Sequence, residues 1–488
     1  MERASPRLGA KVRALRRRES LSQAELATRL GVSPSYLNLI ENNRRPLPAQ
    51  VLLKLAQLFA IDLHTFAADE DARVVADLLE AFADPIFDAH RLTSTDVREM
   101  TTSSPAAAKA VLALYRAYQG SRASRESLSE QALDEGEPQA SADLSRLPSE
   151  EVSDLVQRHM NHFPELEASA ETLHRDARLD GDDLQGGLTR HLERALGVTV
   201  RVARWGAEPG VLRRYDPDSR VLTLSELLPT RSRAFQTATQ IALLTCHDTV
   251  DRIARDPLLS TDESRALTRI ALANYFAGAV MMPYEAFLRA AREERYDLDV
   301  LGRRFRVGFE QVAHRLTTLQ KPGAEGVPFH MIRTDVAGNI SKRFSASGIR
   351  FARFSGACPK WNVFAAFLTP GMIRIQLSRM PDGEAYFCIA RTIQKDAGGY
   401  QAQHPVQALA LGCQVTFARQ LVYSDGVDLE NPRTSVPVGV TCRLCERADC
   451  EQRAFPSLRW PLRIDENVRG ASLYAPAAPR AAPRPPRA

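Results

Sequence analysis

The chain has 488 residues and seven cysteines, with 44% hydrophobic residues, 25% charged residues and a formal net charge of +5 at pH 7. It is too long for one hydrophobic core, so we expect about three domains of a water-soluble protein. Its apolar runs fall short of the ~18–20 residues that a membrane span needs, and its first residues form no apolar signal core, which predicts a cytoplasmic protein. The few, odd-numbered cysteines argue against a disulfide framework.

The first domain is predicted to be a bundle of five short helices over residues 8–66. Ten Arg and Lys residues among the first 45 stand against four glutamates. Such a local excess of positive charge is typical of a protein that binds a polyanion, and the modest net charge of the whole chain would not reveal it.

Helix-start signals within this bundle are specific. Ser22 and Glu25 form a capping-box pattern that begins one helix, and Gly31 predicts a tight turn after it. Ser33 then caps the next helix, with Pro34 at the first position, where a missing N–H costs nothing. Two short helices about a glycine turn indicate a helix-turn-helix, whose second helix enters the major groove of DNA.

Residues 21–45 closely resemble the XRE/Cro/C1 repressor family. The resemblance implies phosphate contacts from Gln23, Asn42 and Arg44, and contacts with base edges from Ser33, Ser35, Tyr36, Asn38 and Leu39. The alternative is a small helical bundle that binds no nucleic acid.

The middle of the chain begins with a predicted helix over 103–118, started by a serine cap and Pro105. Few large apolar side chains follow between 121 and 148, which indicates a solvated linker. Helical patterning then resumes, with strand-like pieces at 198–202 and 221–224.

Two later helical segments, residues 231–244 and 273–283, resemble the ImmA/IrrE metallopeptidase domain. That family carries His-Glu-x-x-His on the first helix, which supplies two zinc ligands and a glutamate base, and a further glutamate on the second helix. The positions that would carry these groups are occupied here by Thr239, Gln240, Leu243 and Leu272. These side chains are neither usual zinc ligands nor general bases, so we expect a pseudo-peptidase without proteolytic activity.

A former active site often becomes a ligand sensor. Tyr275 is the candidate ligand-binding residue, because an amphipathic ring at such a site can border a small-molecule pocket. The competing interpretation is a core aromatic on an apolar helix. His247 is more simply a surface or capping residue than a surviving zinc ligand.

The C-terminal part is predicted to be a mixed α+β domain. Strands are expected near 329–335, 340–344, 372–377 and 385–393, with a helix around 405–411. The last residues, 475–488, are rich in Pro, Ala and Arg and predict a disordered tail.

Several stretches of this part resemble the short-chain fatty acyl transcriptional regulators, among them Gly338-Asn-Ile-Ser-Lys-Arg-Phe, Cys358-Pro-Lys-Trp-Asn and Leu421-Val-Tyr-Ser-Asp-Gly. The order of helix-turn-helix, degenerate ImmA/IrrE domain and cysteine-bearing domain is similar too. This resemblance implies a regulator of propionate, acetate or glyoxylate metabolism that senses a short-chain acyl-CoA, and in some members a [4Fe–4S] cluster.

Three cysteines, Cys442, Cys445 and Cys450, lie within nine residues. Thiolates at this spacing indicate an iron–sulfur cluster or a zinc ion, each of which takes four ligands. Cys413 is the first candidate for the fourth ligand, because a turn after Gly412 would aim it inward. Cys358 is the second candidate. An iron–sulfur cluster is the preferred cofactor, with zinc and reversibly oxidised thiols as alternatives.

The predicted fold is therefore multidomain, mainly α with α+β. The expected divisions are 1–70 for the helix-turn-helix, 71–122 for a helical connector, 123–148 for a linker, 149–322 for the ImmA/IrrE-like domain, 323–474 for the C-terminal domain and 475–488 for the tail.

Double-stranded operator DNA is the expected partner, bound by a homodimer or homotetramer, since two-fold operators need paired readers. Arg201, Arg204, Arg213, Arg214, Arg231 and Arg233 are candidates for the phosphates of CoA. The rivals are an active metallopeptidase that cleaves a repressor and an effector-independent, zinc-stabilised DNA-binding protein.

Overall fold

The computed structural model describes residues 12–13, 16, 21–41, 45, 47–59, 70–90, 92–131, 148–179, 183–204, 211–353, 356–394, 404–457, 472 and 474. Its contacts divide the chain into two compact units, Met1–Tyr115 and Arg116–Ala488. The predicted tail lies outside the described residues. Within the described part of the chain, no helix has both the length and the apolarity to cross a membrane.

The first unit is helical. Its helices are α1 (Gln23–Leu30), α2 (Pro34–Glu41), α3 (Ala49–Phe59), α4 (Glu70–Ala81) and α5 (Ser94–Ser103), with a 3-10 helix at Pro85–His90. The buried core between the helices of the predicted helix-turn-helix bundle includes Val12, Leu26, Leu30, Leu37 and Leu55. This apolar centre fixes the angle between α1 and α2.

The next helix, α6 (Pro105–Gln131), crosses the boundary between the two units. Its predicted start at Pro105 is confirmed. The helix continues to Gln131 and thus includes the first residues of the linker predicted from residue 123. Residues 132–147, the rest of that predicted linker, lie outside the described residues.

The second unit begins with a helical region. It contains α7 (Pro148–Arg158), α8 (Pro164–Asp176), α9 (Leu184–Leu196), α10 (Thr230–Thr245), α11 (His247–Ala254), α12 (Asp262–Met281), α13 (Tyr284–Glu293), α14 (Leu298–Arg304) and α15 (Phe309–Thr317). A small sheet is formed by β1 (Thr199–Ala203), β2 (Arg213–Asp216) and β3 (Val221–Ser225), in the order β1-β3-β2. β1 and β3 are parallel, and β2 and β3 are antiparallel. The two strands predicted in this region are thus confirmed.

A six-stranded sheet follows, with the short helix α16 (Asn362–Ala365) between its second and third strands in chain order. Its strands are β4 (His330–Thr334), β5 (Ile340–Ser345), β6 (Arg374–Arg379), β7 (Ala385–Gln394), β8 (Val406–Gln414) and β9 (Ser435–Pro437), in the order β5-β4-β8-β7-β6-β9. The helix predicted around 405–411 is wrong, because that segment is β8, hydrogen-bonded to both β4 and β7.

Alternate residues of this sheet enter two different cores, as the two-residue period of a strand requires. Met331, Phe387 and Leu409 pack against the helical region. Ile332 and Cys388 pack on the other face, in the cluster that contains Trp361 and Val363. The side of the sheet that a thiol faces therefore decides which other cysteines it can meet.

Helix α7 joins the helical region to the edge of this sheet. The buried carboxylate of Glu151 accepts hydrogen bonds from the backbone N–H (2.8 Å) and the hydroxyl (2.6 Å) of Ser260. On the other side, the amide of Gln157 donates to the carbonyl of Ser345 (2.8 Å) and accepts from its N–H (3.0 Å). Gln157 thereby satisfies the open edge of β5 as a neighbouring strand would.

Candidate functional site

The helix-turn-helix has the local geometry that its sequence predicts. Ser22 Oγ accepts from the N–H of Glu25, and the Glu25 carboxylate accepts from the N–H of Ser22, which completes the capping box. Gly31 ends α1 with φ of +71°, in the left-handed region that favours glycine. Ser33 Oγ accepts from the N–H of Tyr36 at 3.1 Å and caps α2.

Helix α2 turns a polar face to solvent, and the predicted base-reading residues lie on it. Ser33, Ser35 and Asn38 are exposed, and so is Leu39, with 37% of its surface accessible. Tyr36 is half-buried, and the Arg45 guanidinium lies 5.7 Å from the centre of its ring. Asn42 and Arg44, two of the predicted phosphate contacts, lie outside the described residues.

The opposite side of α2 is held by a glutamate that sequence reasoning missed. Glu41 is only 2% exposed, and its carboxylate accepts from Arg16 at 2.7 and 3.0 Å and from Gln23 at 3.0 Å. The hydrogen bond to Glu41 raises the pKa of Arg16. Arg16 is thus used inside the bundle, so the positive charge of this segment does not all face DNA. Gln23, a predicted phosphate contact, is bound to Glu41 in this structure.

The degenerate peptidase site is a polar contact between two helices. Thr239 and Gln240 are buried on α10, and the Thr239 hydroxyl donates to Asn274 Oδ1 on α12 at 3.3 Å. The single hydrogen of this hydroxyl is shared with the carbonyl of Phe235, which lies closer, at 2.8 Å. Leu272 is buried in the apolar core.

Tyr275 belongs to a buried ion-pair network. Its hydroxyl donates to Glu167 Oε1 at 2.6 Å, and Arg315 binds both oxygens of the same carboxylate at 2.6 and 2.9 Å. Burial opposes ionisation of Glu167, but Arg315 outweighs it and the pKa of Glu167 is lowered. Burial raises the pKa of Tyr275 well above its ordinary value. This geometry gives Tyr275 a structural role between α8, α12 and α15, and its role toward a ligand stays a prediction.

The cysteine loop, residues 442–450, is folded against the segment that carries Cys358. The Cys358 N–H donates to the carbonyl of Val440 at 2.9 Å, and Trp361 Nε1 donates to the carbonyl of Gly439 at 3.0 Å. Burial raises the pKa of Cys358, and the neighbouring Cys442 and Cys445 act in the same direction. The three thiols therefore share one corner of the domain.

Hydrogen bonds hold the cysteine loop in place. The buried Arg453 donates to the carbonyls of Cys442 (2.7 Å) and Cys445 (3.1 Å). The N–H of Ala454 donates to Cys442 Sγ at 3.5 Å. A Cβ at Gly439 would lie 3.1 Å from Cys445 Sγ, so a side chain here would press on the thiol of Cys445. Arg453 thus holds the backbone of the loop through these carbonyls.

Cys413 lies elsewhere. It is fully buried on β8, in the core that faces the helical region, whereas Cys358 lies in the core on the other face. The expected turn after Gly412 is absent, because the described strand β8 runs through both residues. Cys413 and Cys358 thus lie on opposite faces of the sheet, and the role of Cys413 as the fourth ligand stays a prediction. Among the described residues, no three Cys, His, Asp or Glu side chains are arranged closely enough to hold a metal ion.

A second candidate site is a basic cleft of about 580 Å³ in the second unit. Four arginines line it: Arg231, Arg303, Arg306 and Arg391. Among the described residues of its lining, Asp299 is the one carboxylate, and Arg391 binds it at 2.7 Å. We call this site the arginine cleft. Arg231 is the one member of the six predicted phosphate-binding arginines that the structure places there.

Comparison with known proteins identifies the three regions. Residues 7–68 match the family described as helix-turn-helix domain, 193–317 match the IrrE N-terminal-like domain, and 318–474 match the C-terminal domain of the short-chain fatty acyl coenzyme A regulators. The first unit therefore contains the DNA-binding domain of a transcriptional regulator.

Full-length relatives agree with this class. The chain is 42% identical over 469 residues to the HTH-type transcriptional regulator PrpR of Mycobacterium tuberculosis, covering 95% of this chain and 94% of the relative. It is 42% identical over 467 residues to the propionyl-CoA carboxylase regulator of Cereibacter sphaeroides, covering 96% and 98%. A solved structure of a Mycobacterium tuberculosis transcriptional regulator matches 68% of this chain and all of its own, with 43% identity and a TM-score of 0.65.

The protein is thus a helix-turn-helix transcriptional regulator, and it belongs to the family of these short-chain fatty acyl coenzyme A regulators. The resemblance drawn from the sequence alone is confirmed.

Proposed function

We propose that this regulator controls genes of short-chain acyl-CoA metabolism and that a short-chain acyl-CoA changes its affinity for operator DNA. The observation that carries the proposal is the exposed polar face of α2, in a chain that is similar to a propionyl-CoA carboxylase regulator. Ser35, Asn38 and Leu39 would meet base edges, while basic residues around them would bind phosphates. A homodimer or homotetramer supplies the paired readers that a two-fold operator needs.

The central domain acts in this proposal without catalysis. A zinc peptidase needs two or three strong ligands and a general base. The buried hydroxyl–amide contact of Thr239 and Asn274 provides neither. The rival function, cleavage of a repressor, would be supported by proteolysis that a chelator abolishes.

DNA binding is tested with genomic fragments selected by the purified full-length protein. Fluorescence anisotropy then gives Kd for the selected operator across salt concentrations, with and without propionyl-CoA or acetyl-CoA. We expect log Kd to rise steeply with log salt, because phosphate contacts release counterions. Asn38→Ala should weaken specific binding about tenfold or more, since a good base contact contributes about 1–3 kcal/mol. Thr102→Ala, an exposed change on α5, is the matched control.

Two results separate the parts of this proposal. If Asn38→Ala and the wild type bind the operator with the same Kd, α2 is excluded as the reading helix. Operator affinity that no acyl-CoA changes would exclude the effector and favour the effector-independent alternative.

For the cysteine corner we propose a [4Fe–4S] cluster held by Cys442, Cys445 and Cys450, with Cys358 as the fourth ligand. The donor set supports it: thiols are the ligands such clusters use, and the N–H of Ala454 donates to Cys442 Sγ, a contact of the kind that tunes the potential of a cluster. When bound, a cluster would supply a redox-sensitive link between the cysteine loop and the segment at Cys358. Zinc is the alternative for the same thiols.

Iron, zinc and acid-labile sulfide are measured on protein purified without oxygen. We expect four iron and four sulfide per chain, a stoichiometry that defines this cluster type. Cys358→Ser should lower the iron content, and Cys413→Ser should leave it unchanged. Stoichiometric zinc without sulfide would replace the cluster proposal by a structural site. Iron lost from the Cys413 variant alone would refute Cys358 as the ligand.

A further inference from the structure

The arginine cleft concentrates positive charge in a concave site. Its volume of about 580 Å³ lies within the range of small-molecule sites. Asp299 is engaged by Arg391, while Arg231 and Arg303 present exposed side chains at the cleft. Guanidinium groups bind phosphate oxygens through paired, charge-assisted hydrogen bonds. The cleft therefore favours an anion with several oxygens.

Two helices also begin at the cleft. Residues 229–231 at the start of α10 and residues 308–309 at the start of α15 are part of its lining. Neither N-cap residue has a side-chain oxygen that could accept from the first N–H groups: Pro229 and Gly308 occupy the cap positions. At α15 the Gln311 side chain accepts from the N–H of Gly308 itself, at 2.8 Å. The first N–H groups of a helix lack partners within the helix and carry partial positive charge, which suits a phosphate. The N–H groups at the two helix starts and the arginine side chains thus bring positive charge to the same cleft.

One part of the lining is formed by the aromatic ring of Phe309 and the guanidinium of Arg391 and is referred to as one wall of the cleft. The Arg391 guanidinium lies 5.0 Å from the centre of the Phe309 ring. This arrangement offers a stacked plane next to the phosphate-binding groups. Nucleotide bases stack on aromatic rings and on arginine planes with little dependence on the base. An inorganic anion would leave this wall unused.

We propose that the arginine cleft binds a nucleoside diphosphate group, with the diphosphate at Arg231, Arg303 and the two helix starts and the base against Phe309 and Arg391. This chemistry has two sources, the nucleotide end of an acyl-CoA and a free nucleotide such as ADP. The first source rests on the proposed function. The second does not.

Binding is measured by isothermal titration calorimetry on the full chain with three probes: propionyl-CoA, propionyl-pantetheine, which lacks the nucleotide, and ADP. We expect propionyl-CoA to bind, and propionyl-pantetheine to bind at least tenfold more weakly, because the phosphate contacts are lost. ADP competing with propionyl-CoA would place the nucleotide end in the site. Tight binding of ADP without binding of propionyl-CoA would identify a free nucleotide as the ligand.

The double variant Arg231→Gln/Arg303→Gln connects binding to the cleft. Each hydrogen bond from a charged group is worth enough to change Kd by about tenfold or more, so we expect Kd for the nucleotide probe to rise at least a hundredfold. Arg289→Gln is the matched control, because Arg289 is exposed on α13 and is not among the lining residues. Its Kd should equal that of the wild type. Circular dichroism checks that both variants fold.

The outcomes separate this inference from the proposed function. If propionyl-CoA binds the double variant and the wild type equally and changes operator affinity in both, the cleft inference is overturned and the effector proposal stands. If ADP binds only the wild type while acyl-CoA leaves operator affinity unchanged, the cleft inference stands and the effector proposal falls. If neither propionyl-CoA nor ADP binds the wild type, the cleft inference is overturned.

Discussion

Replacement of Glu167 by glutamine would test the ion-pair network that joins α8, α12 and α15. The Arg315 side chain is 2% exposed and that of Glu167 is 9% exposed, so both charges are removed from water. Glu167→Gln removes the negative charge and leaves the guanidinium of Arg315 buried without its counterion. Breaking a buried pair in this way costs about 3–5 kcal/mol. Glutamine keeps one acceptor oxygen, so we expect a loss near the lower limit, about 3 kcal/mol.

Tyr275→Phe is the graded comparison within the same network. It removes one hydrogen bond, 2.6 Å long, and no charge. The expected cost is about 1–2 kcal/mol, as for a hydrogen bond to a charged group. Because Tyr275 and Glu167 are in contact, the double variant should lose less than the sum of the two single losses. Unchanged affinity for propionyl-CoA in Tyr275→Phe would limit this residue to its structural role.

Urea denaturation followed by tryptophan fluorescence measures these losses in the full chain. The tryptophans are Trp205, Trp361 and Trp460, all in the second compact unit, so the signal reports on the unit that contains the network. The free energy of unfolding is extrapolated to water for each variant. A loss below 1 kcal/mol for Glu167→Gln would refute a stabilising buried pair and would mean that Arg315 finds other partners.

The same pair predicts a pH dependence. The pKa of Glu167 is lowered in the folded state. The contribution of its charge to the free energy of unfolding is therefore complete above the ordinary glutamate pKa of 4.5, and it is lost as pH falls through the pKa of the folded state. The difference in stability between wild type and Glu167→Gln should therefore shrink in acid. A difference that stays constant down to the acid unfolding transition would assign the effect to packing rather than to charge.

Three further substitutions test local features. Ser22→Ala removes the capping box of α1 and should destabilise the first unit by about 1 kcal/mol, measured by urea denaturation followed by circular dichroism. Gln157→Ala opens the edge contact with Ser345 and should cost about 1–2 kcal/mol in the fluorescence assay, and a loss near zero would mean that water replaces it. Gly412→Ala places a methyl group 2.5 Å from the buried ring of His330 and should cost about 1–3 kcal/mol. A neutral result would show that the ring can move away.

The sequence predicted features that depend on neighbouring residues. The caps at Ser22 and Ser33, the turn at Gly31 and the helix start at Pro105 are all local patterns, and all are confirmed. The helix-turn-helix follows from them because its two helices are joined by so short a turn that their contact is itself nearly local. The strands predicted near 330 and 385 are likewise confirmed, as β4 and β7.

Tertiary structure decided what depends on distant partners. Residues 406–414 contain Ala, Leu and Gln, which favour a helix, yet they form β8 because β4 and β7 bind them on both sides and both faces are covered. That strand directs Cys413 into the core facing the helices, while the fold brings Cys358 to the cysteine loop. The arginine cleft combines residues from positions 231 to 391. No local pattern records such meetings, because long-range pairing and burial, rather than neighbouring residues, determine which side chains share a site.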